Sequence, residues 1–150
     1  MTARPAHRRV VAEMAQQLFI VFGGDADQFW LWPLKRGFRH CFAALLDDAG
    51  WTVLDPLSGR LVVARLAVPA GFDLPGFYGR AGLTVLGPFA PGAPAPRWLP
   101  PLAPYNCVAL CRALLGPGAP FSITPYGLFA KLKKTSKTRK NVLTFDPGLA

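Results

Sequence analysis

Apolar residues fall along the chain in short runs, separated by turn-forming residues. Leu18 to Phe22 is an unbroken apolar run stopped by Gly23-Gly24, which reads as a short buried strand. Phe38 to Leu46 reads as a second strand, followed by the turn sequence Asp47-Asp48-Ala49-Gly50. Trp51 to Asp55 is the return strand, ended by Pro56. After a second turn at Leu57-Ser58-Gly59-Arg60, Leu61 to Val68 is a further strand, ending at Pro69. The three form an antiparallel meander, and Gly82 to Phe89 adds one more strand.

Residues 69–104 hold nine prolines in 36 positions. The part from Pro88 to Pro104 is excluded from helix or interior strand, because proline lacks the N–H that both need. It reads as a long, stiff surface connection. Asn106 to Leu115 is the clearest helix. Asn106 is a good N-cap, and Val108, Cys111, Leu114 and Leu115 share one apolar face. Gly116 and Pro117 end it. Thr124-Pro125 starts another helix, with Pro at its first position. That helix runs through Tyr126, Leu128, Phe129 and Leu132 into a basic segment. The fold class expected is α+β: an antiparallel sheet of about four to five strands packed against two or three helices. The single domain spans 18–132. Residues 1–17 precede it as an arm or short amphipathic helix, and 133–150 follow as a basic tail whose last residues are free or add a short strand.

Composition fits one domain. The chain has 150 residues, 51% of them hydrophobic, enough for a real core, and 17% charged, which argues against disorder. The net charge of +9 is carried by the ends. Arg4, Arg8 and Arg9 lie near the start, and Lys131, Lys133, Lys134, Lys137, Arg139 and Lys140 lie in one short stretch. Residues 11–130 hold eight basic and seven acidic residues. That C-terminal stretch is either a solvated face or a weak, nonspecific anion contact with nucleic acid, an anionic membrane or an acidic protein. No aromatic interleaves its charges, so base stacking is not indicated, and phosphate neutralisation is the most it offers.

No apolar run near the start approaches the roughly 20 residues of a membrane span, and no signal peptide is read. Three cysteines make neither a disulfide framework nor a zinc set. No metal or cofactor is expected, and no glycine motif opens a helix in nucleotide-binding form. Synthesis in a reducing cytoplasm is the default.

Candidate chemistry rests on few residues. A cysteine nucleophile needs its thiolate, which a helix N-terminus and a neighbouring imidazolium both favour. Cys107 sits in the first turn after the Asn106 cap, whereas Cys111 lies one turn further in, facing the core. Of the two histidines, His7 lies in the arm and His40 on a strand. If Leu46 pairs with Trp51, Phe42 lies opposite Asp55 and His40 opposite Leu57, so His40 and Asp55 are diagonal neighbours on one sheet face. A carboxylate there would hold the imidazole. A one-residue slip would separate them. Trp30, Trp32 and Tyr105 are candidates to line a substrate cleft, or else form a core lid or protein contact.

The order His40, Asp55, Cys107 resembles the circularly permuted NlpC-type papain-like superfamily, which includes the lecithin-retinol acyltransferase-like enzymes. The segments carrying the resemblance are Gly37 to Phe42, Trp51 to Pro56 and Tyr105 to Leu110, within residues 36–116. It implies Cys107 as nucleophile, His40 as base and Asp55 as orienting group, with hydrolysis or acyl transfer at an amide, peptide, thioester or ester. Asp is not the commonest orienting residue in that family, and the Ser-Glu pair that commonly follows its cysteine is missing. Gly37 to Phe42, Asp55-Pro56-Leu57 and Thr124 to Leu128 also resemble small proteins of phage-like or gene-transfer-agent gene clusters. The alternative that follows is a non-enzymatic assembly protein, built into a phage-like particle, with an idle site.

Overall fold

The structure is a computed structural model. It describes residues 16–24, 35–57, 60–92 and 106–143, with side chains as far as Lys137. Five strands, β1 (Gln17–Gly23), β2 (His40–Asp47), β3 (Gly50–Leu57), β4 (Arg60–Arg65) and β5 (Thr84–Phe89), form one sheet in the order β4-β3-β2-β1-β5. Every neighbouring pair is antiparallel. Three helices pack against it: α1 (Leu74–Arg80), α2 (Cys107–Leu115) and α3 (Pro125–Leu143). The architecture is the expected α+β one.

Period-two alternation divides the sheet into two apolar faces. Leu18, Ile20 and Phe22 of β1 and Cys41 and Ala43 of β2 point to the side covered by α2 and α3, where they meet Val108, Cys111, Leu128 and Leu132. Phe19, Ala44, Trp51 and Val53 point to the other side, where Leu74 of α1 closes a second cluster. β1 is buried on both faces, which explains its unbroken apolar run. Phe22, Phe38 and Phe129 join their rings at centroid distances of 4.6 to 5.9 Å, tying α3 to the sheet.

The meander forms as the turn chemistry requires, with Leu46 opposite Trp51. Four boundaries differ from the expectation. β2 begins at His40 rather than Phe38, and β3 runs through Pro56 to Leu57 rather than ending at Asp55. β4 ends at Arg65 rather than Val68: the Leu66 N–H makes a last in-register bond to the Trp51 carbonyl, and the chain bends at residues 67–68. β5 begins at Thr84, not Gly82, since Gly82 has φ of 86° and belongs to the turn after α1. Pro88 lies in β5, an edge strand, where no partner needs its missing N–H.

Helix α1 is an element the sequence reading absorbed into a proline-rich connection. Asp73 caps it, its carboxylate accepting the Gly76 N–H at 2.9 Å, and Pro75 occupies the first turn. Helix α2 has its expected bounds: Asn106 Oδ1 accepts the Ala109 N–H at 2.9 Å, and Gly116, with φ of 86°, ends it. The boundary drawn between domain and tail after residue 132 is no structural break, because α3 continues to Leu143. The arm at residues 1–15 and residues 144–150 lie outside the described residues.

Candidate active site

Strand pairing stops unevenly at one end of the sheet. β1 pairs with β2 as far as Gly23 opposite His40, and β3 pairs with β4 as far as Leu57 opposite Arg60. Between them, β2 and β3 pair only as far as Ala43 opposite Leu54. His40 and Asp55 therefore lie beyond the last rung, one on each side of the opening. The register is the one the turn predicts, but the ladder does not reach Phe42 or His40. The two residues meet by direct contact across the opening, not as diagonal neighbours within a continuous sheet.

That contact is short. His40 Nε2 and Asp55 Oδ1 are 2.6 Å apart, with 25% and 30% of their side chains exposed. The pair is accessible enough to meet a substrate, yet shielded enough for charge to matter. The His40 ring stacks near Phe42 at 6.3 Å, and Phe42 in turn meets Tyr78 of α1 edge-on at 5.4 Å. Burial raises the Tyr78 pKa, and the Asp55 charge adds to that, so Tyr78 lies within the electrostatic reach of the pair.

Cys107 enters from α2, in whose first turn the N–H groups have no intrahelical acceptor. Its half-buried thiol is near enough to the His40 imidazole for each to influence the other's titration. Interaction with Cys107 does most to raise the His40 pKa above its ordinary 6.5, and Asp55 adds to the rise while burial opposes it.

A further thiol takes part, one to which the sequence reading assigned no role. Cys41, next to His40 in β2, points to the α2 side of the sheet and is fully buried. It lies near enough to Cys107 for each to influence the other's titration, and the Cys111 sulfur lies 3.7 Å from its own. All three cysteines thus converge. The Cys41 thiol is the foremost influence holding the Cys107 pKa above its ordinary value. Burial works in the same direction, and His40 and the Cys41 backbone N–H pull it down. For Cys41 itself, Cys107 pulls the pKa down, but Cys111 and burial outweigh it and the thiol stays protonated. The resting site therefore holds Cys107 as a neutral thiol, where the sequence alone suggested a thiolate. Strand alternation was the signal that placed Cys41 on the helix side.

The remaining expected site residues fall into two groups. Trp30, Trp32 and Tyr105 lie outside the described residues. Lys131, Lys133, Lys134 and Lys137 are exposed along α3; Arg139 and Lys140 lie on the same helix, and their side chains are outside the description. Among the described residues no cluster of three or more His, Cys, Asp or Glu side chains could hold a metal ion, and no helix is long and apolar enough to cross a membrane. No family model, curated protein or solved structure matches the chain.

Proposed function

We propose that the protein is a papain-like cysteine hydrolase or acyltransferase acting on an amide, ester or thioester carbonyl. One observation supports this reading: Cys107, at a helix start, influences the titration of His40, whose Nε2 lies 2.6 Å from Asp55 Oδ1. In this reading they serve as nucleophile, base and orienting group.

The chemistry follows from the charges. Because the resting thiol is neutral, its proton passes to His40 as sulfur attacks the carbonyl carbon. Asp55 stabilises the imidazolium this creates. The Cys107 backbone N–H, at the positive end of α2, is placed to donate to the oxyanion. Collapse of the tetrahedral adduct breaks the bond to the leaving amine, alcohol or thiol, which takes the proton back from His40. Water, or an acceptor nucleophile, then attacks the thioester with His40 again as base, and Cys107 is regenerated.

The test uses the full chain with a panel of activated acyl esters and thioesters, followed by intact-mass detection of an acyl adduct. An adduct on Cys107 that turns over, and is absent in Cys107→Ala, is expected. Absence of any adduct, combined with alkylation of Cys107 no faster than of Cys41 at neutral pH, would sink the proposal.

The upward shift of the Cys107 pKa favours a second reading, a non-enzymatic assembly protein of a phage-like particle, in which the same thiol simply packs against Cys41. Stoichiometric copurification in a particle, with Cys107→Ala leaving assembly untouched, would select that reading.

A further inference from the structure

Helix α3 changes character along its length. Its first half is anchored: Leu128 and Leu132 are 0% and 5% exposed, Phe129 joins the aromatic cluster, and the Lys131 ammonium donates to the Phe121 carbonyl. Beyond Leu132 no side chain from Lys133 to Lys137 is buried. From residue 133 to 141 the sequence KKTSKTRKN contains no apolar residue, and the whole helix contains no acidic one. Lys133 and Lys137 stand at helical spacing i and i+4, so both cations lie on one face. Like charges so spaced weaken an isolated helix. Counter-charge supplied from outside would relieve that repulsion.

We propose that the second half of α3 is an arm that binds the phosphate backbone of duplex nucleic acid without reading its sequence. Three features select this partner. Lys133, Lys134 and Lys137 are interleaved with Ser136, a residue type that donates to phosphate oxygens. An interfacial membrane helix needs an apolar face, and residues 133–141 offer none. Single-strand binding relies on aromatic stacking, and no aromatic lies in that stretch. The inference is independent of the chemistry assigned to Cys107.

The test is fluorescence anisotropy of a labelled duplex DNA of arbitrary sequence with the full chain, titrated across roughly 50 to 200 mM salt. The logarithm of the association constant should fall linearly with log salt, by about 0.9 for each phosphate neutralised. The triple variant K133Q/K134Q/K137Q should lower that slope by about 2 to 3 and weaken binding at low salt at least about tenfold, equally for unrelated duplex sequences. The variant should stay folded with a slightly lower melting temperature, since Lys133 loses its contact with the Phe129 ring, and Arg60→Gln, on the far sheet edge, should leave binding unchanged. The proposal is overturned if duplex does not bind at low salt, if the triple variant keeps the original slope, or if Arg60→Gln weakens binding as much. Tighter binding to phosphatidylserine vesicles or to polyglutamate than to duplex, at equal salt, would also overturn it by assigning the arm to a different partner.

Discussion

His40 Nε2 stands 2.6 Å from Asp55 Oδ1, and this contact bridges the place where β2 and β3 cease to pair. Each residue is held from behind by a neighbouring ladder, β1 with β2 for His40 and β4 with β3 for Asp55. The imidazole is therefore held between two rigid supports. Replacing Asp55 with Asn keeps the shape and removes the charge. The His40 pKa, followed by NMR of the ring protons, should then fall, and turnover of any acyl substrate should drop on the order of 10²-fold. An unchanged His40 titration would mean the carboxylate does not stabilise the imidazolium.

Cys41 restrains Cys107. Cys41→Ala removes the foremost influence raising the Cys107 pKa, so alkylation of Cys107 at neutral pH should accelerate several-fold. The substitution leaves a small void in the core, and a stability loss on the order of 1 kcal/mol should accompany it. Equal alkylation rates in the variant and the original chain would show that burial alone governs the thiol.

His40 also predicts how stability depends on pH. Its folded-state pKa is raised above 6.5, so the folded chain binds this proton more tightly than the unfolded chain does. The resulting stabilisation is full below pH 6.5 and is lost as pH rises through the folded-state value. Denaturant unfolding should show that decline, with a slope no steeper than about 1.4 kcal/mol per pH unit, and His40→Gln should flatten it. A slope of opposite sign over this window would contradict the raised pKa.

Asn106 links the fold to the chemistry. Its side chain caps the turn that carries Cys107. Asn106→Ala should destabilise the protein by about 1 kcal/mol in chemical denaturation. Loosening the first turn should also slow acyl transfer more than it changes the melting curve.

Trp51 anchors α1 by donating its indole N–H to the Phe72 carbonyl at 2.9 Å, while its ring packs 5.6 Å from Phe19. Trp51→Phe keeps most of the packing but leaves that carbonyl without its donor. A loss of about 1 to 3 kcal/mol in thermal unfolding is expected.

Much of this architecture was legible in the order of residues, because local rules set it. Turn residues at Asp47 to Gly50 fixed the hairpin register, and the Asn106 cap with Gly116 fixed both ends of α2. Helix α1 carried its own signal in Asp73 and Pro75, but Gly76 and Gly79 and the surrounding prolines masked a helix of only seven residues. The pairing of His40 with Asp55 followed from the hairpin, since one register relates both residues.

Other features had no local cause. No rule of sequence spacing stops the β2–β3 ladder at Ala43 and Leu54; that depends on how the whole sheet is supported at this end. Nor does spacing bring Cys107 to Cys41, 66 positions earlier in the chain. The sequence by itself determined the strands, the helix caps and which side chains share a face, since those follow from neighbours a few residues apart. Only the tertiary structure decided that three thiols and an imidazole meet, and hence the charge state of Cys107, because burial and through-space hydrogen bonding exist only once distant segments pack together.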